Sequence, residues 1–381
     1  MKIQLDKIKG LETPLYYYDA ELLKSTLEEI KENIKGFPFK VHYAIKANAN
    51  ATILKYIKEA GLGIDCVSGG ELKAALAAGF AAKDIVFAGV AKSDREINAG
   101  LEAGILCFNV ESFNELEVID ELAAKAGRVM DIAVRINPNI DAKTHAYITT
   151  GLNENKFGIS IELLDKFVAK SIELKNVNLT GVHFHIGSQI QTFEPFESLC
   201  SKAKFFADHL EKLGAKITVI NVGGGFGIDY VNPIGNPIPD FKKYFNVFKE
   251  NLQLKDYQEL HFELGRSIVG QCGALITKVL YVKEGVNKKF VMVDAGMTDL
   301  LRPALYQAHH NIYNLTSESE ETEKYDVVGP ICESSDFFGK DEELPTTKRG
   351  DILALLSAGA YGEIMASQYN CRELPGAIFV D

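Results

Sequence analysis

Lys46 closes the apolar run Val41-His42-Tyr43-Ala44-Ile45 and is followed by Ala47-Asn48-Ala49-Asn50. Burying an unpaired ammonium is costly. A lysine at the end of such a run is therefore paired, solvated at the rim, or chemically employed. Desolvation lowers an amine from its ordinary value of about 10.4 and makes it a usable nucleophile toward carbonyls. Other polar residues stand at comparable places: Asp65, Arg135, Asn137, His183, His185 and Ser188, the run Gly223-Gly224-Gly225-Phe226-Gly227, then Glu263, Gly265 and Arg266. Each has a plain structural reading and a chemical one. Three glycines make a tight turn, or a backbone nest for an anion. Arg266 can donate a fork of hydrogen bonds to the same anion. Glu263 in an apolar strand needs a cationic partner, either a barrel arginine or a ligand's pyridinium. His185 is a hydrogen-bonded core histidine, or stacks on a flat ring. Taken together, an imine-forming lysine, a phosphate nest, a ring-stacking histidine and a pyridinium-pairing glutamate describe a site for pyridoxal 5'-phosphate.

These residues need a scaffold that brings strand ends together. From residue 40, short apolar runs alternate with amphipathic helical stretches. The runs are KVHYAIKA, GIDCVS, DIVFAGV, ILCFNV, DIAVRINP, LTGVHFHIGS, ITVINVGGGFG and ELHFELGRS. Helical patterns such as GELKAALAAG and SDREINAGLEAG close on glycine, as helices often do. Continuous apolar strands separated by helices indicate a parallel sheet, and eight units indicate a (β/α)8 barrel, whose functional residues sit at the C-terminal strand ends. Beyond residue 268, FVMVDAG, KYDVVGPICES and GDILALLSAG read as strands of a mostly β domain, barrel- or sandwich-like. The N-terminal TPLYYYD is expected to join it. The expected division is a barrel over 21–267 and a discontinuous β domain over 1–20 and 268–381. The acidic stretch SESEETE reads as a solvated loop.

Composition sets the outer bounds. The 381 residues are 46% hydrophobic and 24% charged, ordinary for a globular protein, and the net charge of −11 argues against nucleic acid or an anionic membrane as partner. No apolar run is long enough to span a bilayer and no secretory signal is read, so a cytoplasmic location is expected. The six cysteines are scattered without a CxxC, which suits reduced thiols. The nearest histidine and cysteine groupings lack a matching partner set, so no metal site is expected.

The motifs YAIKAN, GIDCVSGGEL, GVHFHIGSQ, NVGGGFG, ELGRSIVG, DAGMTDLLRPALYQAHH, GPICESSDFF and GAYGEIMASQYN resemble those of the fold-type III pyridoxal-phosphate decarboxylases. The likeness is greatest to the branch acting on meso-2,6-diaminopimelate and runs from about residue 12 to the end. One departure is Leu264, where the family usually has proline. The resemblance implies decarboxylation of meso-2,6-diaminopimelate to L-lysine and CO2, the last step of lysine biosynthesis. It implies that Lys46 holds the cofactor, His185 stacks on its ring and Glu263 pairs its ring nitrogen. Ser188, Gly223, Gly224, Gly225, Gly265, Arg266 and Tyr361 would surround the phosphate. Arg266, Arg302, Tyr306 and Tyr361 would bind substrate. Cys332 and Glu333 would reach the partner's site in a head-to-tail homodimer, Cys332 protonating carbon and Glu333 binding the distal ammonium. Two arginines suit a dicarboxylate better than a monocarboxylate amine. Competing readings are a decarboxylase of carboxynorspermidine, ornithine or arginine, and a non-catalytic pyridoxal-phosphate-binding regulatory protein.

Overall fold

The computed structural model describes residues 1–140 and 156–381. The chain divides into two compact units. One comprises Leu27–Gly227 and Asp240–Gly265; the other comprises Met1–Thr26, Ile228–Pro239 and Arg266–Asp381.

The second unit opens with β1 (Leu15–Asp19). The first unit is a closed parallel barrel of β2 (Phe39–Ala44), β3 (Gly63–Cys66), β4 (Ile85–Phe87), β5 (Cys107–Val110), β6 (Met130–Arg135), β7 (Val177–His183), β8 (Val219–Asn221) and β9 (Glu259–Leu264). All eight expected strands are present, and β9 closes the ring against β2 with His42 opposite Glu263. Helix entry is fixed locally. Ser68, Ser93 and Ser112 each accept a backbone N–H from the third residue onward, and Ser93 with Glu96 forms a full capping box. Gly104 ends its helix at φ 71°, a conformation that favours glycine. These caps place each strand end a few residues before a helix start, so the polar strand-end residues share one rim.

Aromatic side chains fill much of the space between strands and helices. Phe262 of β9 is fully buried, with ring centroids of Phe39, Phe245 and Phe248 at 5.4, 5.1 and 5.0 Å. Near-perpendicular pairs of this kind suit the ring quadrupoles and add to the area buried.

In the other unit, β1 pairs antiparallel with β10 (Gly273–Glu284) and parallel with β16 (Gly376–Val380). The main sheet runs β12 (Ile312–Asn314), β15 (Ile352–Leu355), β10, β11 (Lys289–Val293), β13 (Thr322–Val328), β14 (Phe337–Pro345). This is the mostly β architecture expected, and TPLYYYD is one of its strands. The twelve-residue β10, at its centre, was not anticipated. Its first five residues are all buried and only its second half alternates, so it lacks the period-two pattern of a half-exposed strand. Among the described residues, no helix is long and apolar enough to cross a membrane.

Phe262→Ala is expected to lower barrel stability by about 3–5 kcal/mol, and Phe262→Leu by distinctly less. Urea unfolding followed by near-ultraviolet circular dichroism measures both; equal midpoints for wild type and Phe262→Ala would contradict this account of the core.

Candidate active site

A cavity of about 410 Å³ opens at the barrel rim. Its polar lining is Lys46, Asp65, Glu96, Arg135, His183, His185 and Glu263. Lys46 lies in the single turn Ile45–Ala47 that follows β2 and is half-buried. Lys46, His185 and Glu263, chosen from the sequence for one chemistry, thus share one wall. His183 and His185, two residues apart, both face the cavity, as strand alternation requires.

Glu263 is 7% exposed and held by three donors from three strands. Asn109 Nδ2 and Asn221 Nδ2 donate to Oε1 at 3.1 and 2.8 Å, and His183 Nε2 lies 2.9 Å from Oε2. Burial pushes this carboxyl upward, but His183, His185 and Lys46 outweigh it and hold the group below the usual carboxylate range. Its partners are therefore not a barrel arginine. Arg135 instead pairs with Glu111, Nη1 to Oε1 2.7 Å, and Glu111 also accepts the Gly158 N–H at 2.9 Å. Asp65 goes the other way: burial and the charge of Glu263 raise it well above its ordinary value, against the opposing pull of Lys46. Two carboxyls in one cavity are thus driven apart, Glu263 downward and Asp65 upward.

The His185 imidazole is pushed well below its ordinary value, by burial first and then by Lys46 and Arg135. Gly224 N–H points at its Nδ1 across 3.4 Å, so that nitrogen offers its lone pair and the proton sits on Nε2. The glycine run is packed against the strands. A Cβ at Gly223 would lie 2.2 Å from the Phe184 carbonyl oxygen, and one at Gly224 only 2.0 Å from that of Glu263. Gly225, at φ 102°, would meet the Gly187 carbonyl oxygen at 2.6 Å. Two of the three glycine N–H groups already have partners within the barrel. Gly223 donates to Asn221 Oδ1 at 2.9 Å and Gly224 to His185, because the asparagine that holds Glu263 also caps the loop. Ser188 is half-buried in the loop after β7. Gly265 is buried, and a Cβ there would meet the Ala47 and Ala44 Cβ atoms at 3.1 and 3.2 Å.

The β unit carries a second cluster. Arg266 Nη1 donates to Tyr230 Oη at 2.7 Å and its guanidinium lies 4.8 Å from the Tyr361 ring centre. Arg302 lies over the Tyr230 ring at 5.1 Å and is 6% exposed, while Tyr306 is half-buried one turn along the same helix, Arg302–Tyr306. Cys332 and Glu333 are exposed beyond β13. The Cys332 N–H donates to Asn370 Oδ1 at 3.2 Å, and the Tyr369 hydroxyl donates to Glu333 at 2.8 Å. Sequence reasoning missed Asn109, Asn221 and Tyr230. The two asparagines left a signal, as polar residues in the apolar runs ILCFNV and ITVINV; Tyr230 left none. No group of three or more metal-ligating side chains occurs among the described residues.

The barrel residues fit pyridoxal phosphate. Glu263 is ionised with acceptor capacity beyond its three donors, and the glycine run leaves a backbone surface no other residue could line. Two buried polar atoms, Asp65 Oδ1 and His183 Nδ1, have no protein partner among the described residues.

A model of the pyridoxal binding domain of pyridoxal-dependent decarboxylases matches residues 21–270. The chain is 59% identical over 372 residues to the diaminopimelate decarboxylase of Bacteroides thetaiotaomicron, covering 97% of this chain and 96% of that one. Helicobacter pylori diaminopimelate decarboxylase complexed with L-lysine superposes with a TM-score of 0.93 at 43% identity, covering 99% of this chain and 94% of that one. The M. jannaschii enzyme in co-complex with L-lysine gives 0.91 at 39% identity, covering 99% and 89%.

Acid sensitivity follows from the buried imidazoles. His42, pushed to about 3 chiefly by burial and then by His261, stays neutral in the fold together with His185 and His310. Below about pH 6.5 the unfolded chain gains protons that the folded chain refuses, so stability falls as pH falls, by about 1.4 kcal/mol per unit for each group. Glu263, also held below its ordinary value, acts in the same direction but lower on the pH scale: its contribution is complete above about 4.3 and lost only below that. Urea midpoints at pH 7, 6 and 5 should drop progressively, and less steeply in His42→Gln; parallel curves would refute the assignment.

Proposed function

The chain belongs to the pyridoxal-dependent decarboxylases, and from that premise we propose that it converts meso-2,6-diaminopimelate to L-lysine and CO2. The observation that carries the reading is the meeting of Lys46 with an ionised Glu263 and a neutral His185 in one cavity. When bound, pyridoxal phosphate accepts the electron pair left behind as the carboxylate departs. The chain supplies the rest. Lys46 would hold the cofactor through its amine. Glu263, kept anionic by His183, Asn109 and Asn221, holds a proton at the ring nitrogen. His185 lays an uncharged face against the ring. Ser188, Gly223, Gly224, Gly225, Gly265, Arg266 and Tyr361 embrace the phosphate.

The β unit binds the retained end of the substrate. Arg302, with Arg266, Tyr306 and Tyr361, takes a carboxylate, because a buried guanidinium that meets no acidic partner among the described residues favours an anionic ligand. Glu333 and Cys332, exposed on their loop, serve the neighbouring subunit of a homodimer: Glu333 takes the distal ammonium, and the Cys332 thiol returns a proton to the carbon that lost CO2. We read the location as cytoplasmic, since six unpaired thiols suit a reducing compartment.

Release of CO2 from carboxyl-labelled diaminopimelate is expected from wild type and to fall by about three orders of magnitude or more in Lys46→Ala. Ornithine should react at least about a hundredfold more slowly, since it leaves the arginine pair unmatched; comparable rates would favour a monocarboxylate substrate instead.

For the shared site, mixing Lys46→Ala with Cys332→Ala subunits should restore up to about a quarter of wild-type activity, the statistical share of intact sites in mixed dimers. No recovery would count against subunit sharing.

A further inference from the structure

Arg302 is a buried cation whose surroundings are aromatic and neutral. Among the described residues its guanidinium makes no ion pair; its Nε donates to His310 Nε2 at 3.4 Å and its face lies over Tyr230. His310 is fully buried, and its Nδ1 lies 2.8 Å from the Leu356 carbonyl oxygen. A carbonyl only accepts, so Nδ1 carries the proton and Nε2 presents its lone pair to Arg302. A protonated ring would turn that contact into N–H against N–H and set two positive charges together. Burial and then Arg302 accordingly push His310 down to about 3. Tyr230 completes the mount: its ring meets His310 edge-on at 5.4 Å and its hydroxyl accepts from Arg266.

The Nε side and one face of Arg302 are thus occupied, which leaves the Nη edge, the fork that matches a carboxylate. We propose that His310, backed by Tyr230, is the positioning residue that aims this edge at the carboxylate that L-lysine keeps, and so makes the site prefer an amino-acid end to a plain amine. This rests on the substrate reading above. His310 acts through Arg302 and touches no reacting atom.

The test measures binding of L-lysine and of 1,5-diaminopentane, which differs from it by one carboxylate, to the cofactor-loaded holoenzyme by calorimetry. Wild type should prefer L-lysine. His310→Asn keeps a donor for Leu356 and drops the acceptor for Arg302. It should weaken L-lysine about tenfold and raise KM for diaminopimelate similarly, leaving kcat within about twofold and 1,5-diaminopentane unchanged. His310→Gln places an oxygen where Nε2 stood and should recover most of the loss. Undiminished discrimination in His310→Asn, or equal loss in the Asn and Gln variants, overturns the assignment while leaving the substrate reading intact. Failure of wild type itself to discriminate overturns both. If thermal unfolding shows that His310→Asn does not fold, Tyr230→Leu carries the test: the same selective loss supports the proposal, and unchanged L-lysine binding overturns it.

Discussion

An ionised carboxylate inside a barrel survives only if its desolvation is offset by donors already in place, and Glu263 sets that demand on the strands around it. Its donors come from β5, β7 and β8, and Glu263 itself stands on β9 opposite His42 of β2. Because strand side chains alternate, a one-residue slip of any of these strands would turn its donor away from the carboxylate and turn an apolar neighbour toward it. The register of half the barrel is therefore tied to one charge. The same Asn221 that donates to Glu263 accepts the Gly223 N–H, so the glycine loop inherits its position from the carboxylate.

That charge also sorts the titratable groups about it. With Glu263 anionic, a second carboxylate nearby is disfavoured, and burial with that charge pushes Asp65 well above its ordinary range. Burial first, and then the charges of Lys46 and Arg135, disfavour another cation, and His185 is pushed well below its ordinary value. Glu263, Asp65 and His185 are thus each displaced from the ordinary range in a direction set by their neighbours, so the cavity offers a biased pattern of charge. Preorganisation of this kind is what lets charged groups act without first rearranging.

Much of this was legible because the barrel repeats one sentence: apolar run, polar strand end, capped helix. Lys46, His185 and Glu263 each stand where that grammar exposes them, and Arg302 stands out among Leu300, Leu301 and Leu305. What could not be read depends on partners distant in sequence. Asn109 is an ordinary strand residue until folding brings Glu263, 154 positions away, to its side. Tyr230 belongs to the loop Ile228–Pro239, which lies between two barrel strands in the sequence yet clusters with the β unit. The half of β10 that is buried on both faces has no alternation to announce it, and β14, rich in acidic residues, is held as a strand by its ladder to β13. Pairing, not propensity, makes these strands.

The buried arginines show how the company of a charge reveals its use. Arg135 has a carboxylate of its own, and Glu111 in turn anchors the Gly158 backbone, so this guanidinium is largely satisfied within the fold. Arg302 is as deeply buried, and among the described residues it is supported by a tyrosine face and a neutral imidazole. Such partners offset part of the desolvation without cancelling the charge. A carboxylate in their place would stabilise the unliganded fold better and then compete with any anionic ligand. The charge of Arg266 adds to the burial that disfavours the Arg302 cation, and an arriving carboxylate relieves that cost. That no carboxylate pairs with Arg302 among the described residues is therefore a cost in stability that makes sense only if an anion is to be bound there.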